Sequence, residues 1–391
     1  MKRFLIAISL FFALSSAFAQ ETMQDVLNQI AHNNLSLKAL GYENEAQVLD
    51  IQAENTFSGP SLEYSPFFQK GYSGLAQSEL IVSEEFQFPT KYSAREKQAL
   101  LQRQAGQTQY NKLRREILFE AQQLCLDIIR VNQTLKLLNQ RQAGSHALHL
   151  MYEKRMQAGD ANILEMNKVE LDCMEVQTLV TEAQNERALL LQQLQQLNGG
   201  IAIDITTEEL PEFAPVLDYE SFSQLALSED ADILAAEAAV KSASHDVNIT
   251  KKEWLPNISV GYRRNTDKKE QVNGMLVGVS FPLVSNKKKV NAAKQRLLGA
   301  ELQVQQTRQD AEAVLRSRYN QLVRLQQVLD HSDVKKMNET LELLSKALQH
   351  GEISALQYYT EINSIYEKLQ RHIDVHCQSV KLMAELHKNE L

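Results

Sequence analysis

His372, His376 and Cys377 are the residues whose types and spacing come nearest to chemistry in this 391-residue sequence. Imidazoles four apart share one helix face, and a neighbouring thiolate could extend them toward a zinc-type ligand set. The plainer alternative is a polar helix face beside a buried cysteine, a spacing that coiled-coil helices produce often, so no metal ligand is assigned. Cys125 and Cys173 also fall at or beside apolar helix positions. An odd cysteine count supplies no disulfide framework, and all three read as small buried hydrophobes. The sequence holds no phosphate-binding glycine loop, no GxSxG, no HExxH and no CxxC pair. It is therefore read as a non-enzyme without a cofactor. Its net charge of −8 argues against nucleic acid as a partner.

The elements carry more information than these side chains do. The stretch RMQAGDANILEM places Gly159 and Asp160 inside a long helical pattern, and ALQHGEISALQY repeats the layout around Gly351 and Glu352. Gly159 and Gly351 are 192 positions apart, as are Leu164 and Leu356. A feature repeated at one offset indicates a duplicated architecture. No proline lies between Pro89 and Pro211, and none follows Pro282, so very long helices are permitted. The apolar seam Leu113, Ile117, Ala121, Leu124, Ile128, Val131, Leu135, Leu138 steps by fours and threes, a coiled-coil spacing. A second seam runs through Cys173, Val176, Val180, Ala183, Leu190, Leu194 and Leu197. A helix from about Lys91 to Gln157 would be on the order of 100 Å long. The glycines then read as reversal points, where φ > 0 ends one helix and an acidic residue approaches the start of the next.

Two regions break the helical period. Residues 59–89 and 255–282 each alternate with period two, as in Leu62 and Tyr64, in Ile258, Val260 and Tyr262, and in Val277, Val279 and Phe281. Each reads as a hairpin that follows a proline and ends at Phe-Pro. Tyr64, Phe67, Phe68 and Tyr72 are candidates for an interfacial aromatic girdle. Strands of roughly 9 to 11 residues suit a membrane barrel or an ordinary half-buried hairpin. Four strands cannot close a membrane barrel, so a spanning barrel would need several chains.

Lys2 and Arg3, the apolar run Phe4 to Leu14 and Ala17-Phe18-Ala19 read as a cleavable export signal over 1–19. A first repeat follows over 20–198, with strands at about 60–89. A linker over 199–218 joins it to a second repeat over 219–391, with strands at about 256–283. Each repeat is expected to hold an amphipathic helix (about 22–56 and 219–253), a hairpin, a very long helix, a glycine turn and a returning helix.

In this order, with its Phe-Pro hairpin ends and paired glycine turns, the chain resembles the TolC-like outer membrane efflux proteins, the outer membrane factors of tripartite pumps. The resemblance implies a mainly α fold with a small β part. It further implies a homotrimer whose three chains build a 12-stranded outer-membrane β-barrel continued by a coiled-coil α-helical tunnel across the periplasm. The partners implied are outer membrane lipid, a periplasmic adaptor protein and an inner-membrane transporter, with weak preference for pumps of the resistance-nodulation-division type. The adaptor-facing tips would be Arg155, Ala158, Gly159, Asp160 and Leu164, with Gln349, His350, Gly351, Glu352 and Leu356. Members of the family can close the tunnel with carboxylate rings after the second tip glycine. Here Gln357 and Thr360 are neutral, and Glu352 and Glu361 remain to form a constriction. The function so implied is a passive exit duct for small molecules or metal ions. The outer-membrane component of type I protein secretion and a periplasmic coiled-coil scaffold are the rivals.

Overall fold

The structure is a computed structural model that describes residues 22–71, 73–216, 218–267, 269–281 and 286–391. The expected export signal lies outside the described residues. Helices dominate, in the order α1 (Met23–Asn33), α2 (Leu35–Glu54), α3 (Pro89–Gln157), α4 (Ile163–Leu197), α5 (Tyr219–Ser228), α6 (Ala231–Lys252), α7 (Asn286–Asp330), α8 (Val334–Gln349) and α9 (Ala355–Leu386). Strands β1 (Ser61–Phe67) and β2 (Gln77–Gln87) lie between α2 and α3, and β3 (Asn257–Asp267) and β4 (Gln271–Ser280) between α6 and α7.

The continuous helix α3 runs for 69 residues. Pro89 opens it at a position where a missing N–H costs nothing. Its seam is buried at Ile117, Ala121, Ile128 and Val131. Burial of Leu118, Cys125, Leu126 and Ile129 widens that seam beyond a two-position stripe. On α4 the buried positions are Met166, Val169, Asp172, Val176, Val180, Ala183 and Leu194.

Three helices expected to be continuous are divided. The expected helix over 22–56 is α1 and α2, because the Asn34 side chain accepts the Leu37 amide at 3.0 Å and starts a new helix. The one over 219–253 is α5 and α6, because Asp230 accepts the Asp232 and Ile233 amides at 2.9 and 3.2 Å. The second long helix is α7 and α8, with Asp333 accepting the Lys336 amide at 2.9 Å. Short polar side chains compete with the helical ladder for backbone donors, and no proline or glycine is needed to make such a break.

Contacts group the chain into two compact units, and each draws on both halves of the sequence. The first comprises residues up to Asn33, Ala121–Glu212 and Leu329–Val380; the second comprises Asn34–Glu120, Phe213–Val328 and Lys381–Leu391. In the first unit, Ile203 and Ile205 of the segment after α4 are buried, and Asn132 donates to the Ile205 and Thr207 carbonyls at 3.0 and 2.9 Å. Gly199, at φ 65°, ends α4 where a side chain would collide with the Asn33 carbonyl, 2.6 Å from the Cβ position. In the second unit, Leu322, Leu382, Met383 and Leu386 form a core with Phe213, Phe222 and Tyr319 around it. That unit also holds one four-stranded antiparallel sheet in the order β1-β2-β3-β4.

Candidate functional site

The two glycine turns are built alike. After α3, the Asp160 amide donates to the Arg155 carbonyl at 2.8 Å and the Gly159 amide to Met156 at 3.1 Å. After α8, the Glu352 amide donates to Ala347 at 2.9 Å and the Gly351 amide to Leu348 at 3.1 Å. Both are the paired closing bonds of a Schellman cap, which needs a left-handed residue just past the helix. Gly159 and Gly351 supply it at φ 80° and 74°. A Cβ at either would meet nothing within 4 Å, so conformation alone demands glycine there.

The returning helices start on matching caps that the sequence reading passed over. Asn162 accepts the Glu165 amide at 2.9 Å while the Glu165 carboxylate accepts the Asn162 amide at 3.2 Å. Ser354 accepts the Gln357 amide at 3.3 Å while Gln357 accepts the Ser354 amide at 3.1 Å. The reciprocal pattern was legible in NILE and SALQ. It places the capping carboxylate at Glu165, inside α4. Asp160 and Glu352 instead close the preceding helices with their backbones.

One hydrophobic cluster joins the two turns. It contains Leu148 and Tyr152 of α3, Met166 and Val169 of α4, Leu348 of α8, and Ala355, Tyr358, Tyr359 and Ile362 of α9. Burial pushes the Tyr358 phenol up to about 12 and raises Tyr359 further, so both rings pack as neutral groups. The turns themselves project from this cluster. Ala158, Gly159, Asp160, Leu164, Gln349, His350, Gly351, Glu352 and Leu356 are exposed. Arg155 is half-buried, with its guanidinium 5.2 Å from the Tyr152 ring centre. Leu164 and Leu356 are 75% and 69% exposed, too much for residues whose only task is core packing.

The four residues considered for a constriction do different things. Gln357 is occupied in its cap, and the Thr360 hydroxyl donates back to the Leu356 carbonyl at 2.9 Å. Glu352 and Glu361 are exposed. On α9, Gln357, Thr360 and Glu361 lie on the exposed stripe, opposite the buried Tyr358, Tyr359, Ile362 and Ile365.

A buried polar network behind the turns gave no signal in the sequence. Arg141 of α3 donates to Asp172 of α4 at 2.9 Å and to Asn363 of α9 at 2.8 Å, and Ser145 donates to Asp172 at 2.7 Å. The Arg141 and Asp172 side chains are 8% and 2% exposed. A pair so desolvated fixes the register of three helices, and removing one partner costs about 3–5 kcal/mol.

Of the residues nearest to chemistry, His372 and His376 lie with ring centres 5.9 Å apart, while Cys377 turns away from them. Cys377 is buried, with its thiol bonded to the Leu126 carbonyl at 3.5 Å, and the Cys125 thiol is pushed up to about 12 by burial. His372 Nδ1 pairs with the Ser332 hydroxyl at 2.9 Å. Among the described residues no group of three His, Cys, Asp or Glu side chains is placed to hold a metal ion.

The sheet separates its chemistry by face. Leu62, Val82, Tyr262 and Met275 stand across from one another in register, as do Phe86, Ile258 and Val279. Val260 and Val277 share this face and Tyr64 and Leu80 extend it, while Glu84 interrupts it and Arg264 and Asn273 stand across from Leu80. The opposite face is mostly polar, carrying Ser61, Ser83 and Gly261, then Glu63 and Arg263, then Ser65, Glu79 and Asn265, with Leu276, Ile81 and Val272 among them. Arg263 pairs with Glu79 there. Met275, Val277 and Leu62 are 84%, 71% and 71% exposed, so most of the apolar face is left uncovered by the described residues. Strands β1 and β4 are both edges. Of the suggested girdle, Tyr64 lies on the apolar face, Phe67 alternates to the other, and Phe68 lies beyond β1. Tyr72 lies outside the described residues.

A sequence profile of the outer membrane efflux proteins matches residues 222–387. The fold extends the likeness to the first half. A membrane protein from Pseudomonas aeruginosa superposes with a TM-score of 0.77 at 18% identity, over 94% of this chain and 89% of that one. Residues 222–387 thus match the outer membrane efflux proteins in sequence, and the described chain shares the fold of such proteins. The outer membrane protein VceC from Vibrio cholerae gives a TM-score of 0.76 at 14% identity over 94% of this chain and 95% of VceC. The Campylobacter jejuni outer membrane channel CmeC gives 0.77 at 13% identity over 94% and 85%. No curated protein sequence matches the chain. The mainly α efflux-protein fold with its small β part is thus the one expected, and the family is one of channels rather than enzymes.

Proposed function

We propose that this chain is the outer-membrane exit duct of a tripartite efflux pump, acting as a homotrimer. The supporting observation is the sheet: one face exposed and predominantly apolar, the other mostly polar, with β1 and β4 as its edges. An open edge is not viable in lipid, where every backbone N–H and C=O must find a partner within protein. Three copies joined edge to edge, β4 of one to β1 of the next, form a closed barrel of 12 strands, above the eight-strand minimum. The apolar face then meets lipid and the polar face lines the lumen.

In this reading the two glycine turns are the periplasmic tips. Arg155, Ala158, Gly159, Asp160, Leu164, Gln349, His350, Gly351, Glu352 and Leu356 meet an adaptor protein linked to an inner-membrane transporter. Glu352 and Glu361, repeated in three chains, narrow the tunnel near its end. The duct itself is passive, and the cargo is small molecules or metal ions selected upstream. Fractionated membranes test the assembly. The expected result is a trimer in the outer membrane fraction that shifts in mobility on heating. A soluble, heat-indifferent chain would make it a periplasmic scaffold instead.

A further inference from the structure

A basic cluster at the base of the sheet is not accounted for by the fold. We propose that Lys251, Lys252, Lys287 and Lys288 form a collar that binds anionic phospholipid headgroups of the leaflet at that end of the barrel. The inference rests on the sheet spanning the membrane. Gln87, Asn257 and Ser280 pair across that end of the sheet, and the lysines lie within a few residues of it in the chain. Lys251 and Lys252 end α6, which leads into β3, and Lys287 and Lys288 stand in the first turn of α7, which follows β4. Lys289 joins the two segments through its 3.0 Å ion pair with Glu253.

Three observations point to an external anion. The four lysines are exposed and have no ion-pair partner among the described residues. Three consecutive lysines with no acidic residue occupy the first turn of α7, where the helix dipole disfavours positive charge, so helix stability does not explain them. The chain as a whole is acidic at −8, and the cluster runs against that average. Two carboxylates at this end, Glu85 and Glu253, are engaged with Asn257 and Lys289. Lys91, in the first turn of α3, donates to Asn257 at 3.1 Å, and burial, then Arg95, lowers its amine against the opposing pull of Glu253 and Glu85.

The surroundings select a membrane surface as the occupant. The apolar face ends at this base with Phe86, Ile258 and Val279. Phe57 packs edge-on against Phe86 and Tyr92 with ring centres 5.6 and 5.7 Å apart. Phe57, Trp254 and Phe281 remain 64%, 57% and 55% exposed. An exposed tryptophan and two exposed phenylalanines beside lysines, at the margin of an apolar band, match the interface between acyl chains and charged headgroups.

The test is insertion of purified protein into vesicles of phosphatidylethanolamine alone or with added phosphatidylglycerol, at low and high salt, read by the heat-modifiable trimer. Wild type should insert about tenfold faster with phosphatidylglycerol, and high salt should erase the gain. The variant K251Q/K252Q/K287Q/K288Q, with helix content checked by circular dichroism, should insert equally into both. K287Q/K288Q should fall between them. A wild type indifferent to phosphatidylglycerol, or a quadruple variant that keeps the preference, overturns the collar while leaving the barrel intact. Trimer loss in the quadruple variant in every vesicle would assign the lysines to contacts between copies and overturn it too. Failure of wild type to form a trimer in any vesicle would overturn the membrane-spanning reading itself.

Discussion

Gly159 and Gly351 are small in number of atoms but set where two helices stop. Their φ values of 80° and 74° lie where a β-branched residue is a severe outlier. Because a Cβ would meet nothing within 4 Å, Gly159→Val and Gly351→Val should cost about 1–2 kcal/mol each through backbone conformation alone. The expected outcome is a trimer that still forms, a tip that loses its shape, and weaker cross-linking to the adaptor. Normal pump function in both variants would remove the tips from the adaptor contact. At this scale the glycines were legible because left-handed backbone selects one residue type. Arg141 and Asp172 were not legible, since 31 positions separate them and only packing brings them to 2.9 Å.

Among the elements, the sheet decides most. Its two faces follow from the strict alternation of strand side chains, so the apolar set Ile258, Val260 and Tyr262 could be read directly. Pairing β2 with β3 could not, because Ser83 and Gly261 are joined by register and not by proximity in sequence. Gly261 permits that approach, as its Cβ would lie 2.6 Å from the Val82 carbonyl. Val82→Arg or Val277→Arg should cost about 2–4 kcal/mol near a bilayer midplane and lower the yield of heat-modifiable protein. Glu63→Gln, on the opposite face, should leave that yield unchanged. Equal tolerance on both faces would mean that neither meets lipid. The long helices show the reverse case. Their seams were periodic enough to read, but the breaks at Asn34, Asp230 and Asp333 depend on which short polar side chains win the backbone donors.

At the level of the whole molecule, the proposed function makes cargo a property of the assembly. A duct that conducts passively need not recognise what passes through it, since selection can occur in the transporter. A deletion strain and its complemented parent should therefore differ in susceptibility according to the partner pump. Sensitivity to zinc, cobalt, copper or silver would assign metal efflux, and sensitivity to bile salts, dyes and hydrophobic antibiotics would assign multidrug efflux. An unchanged panel with a protein missing from the culture supernatant would favour type I secretion and overturn the efflux reading.

The sequence by itself determined the helical class, the two hairpins and the two glycine turns, because these follow from local rules of period, proline exclusion and backbone handedness. It also carried the equal spacing of the two turns, since an offset in the chain survives without any knowledge of contacts. Only the tertiary structure decided that the two turns share one core through Met166 and Leu348, and that the hairpins form one sheet. It alone decided that a buried ion pair locks α3 to α4. Those outcomes depend on which surfaces lose water together, a choice made between segments distant in the chain that no local pattern records.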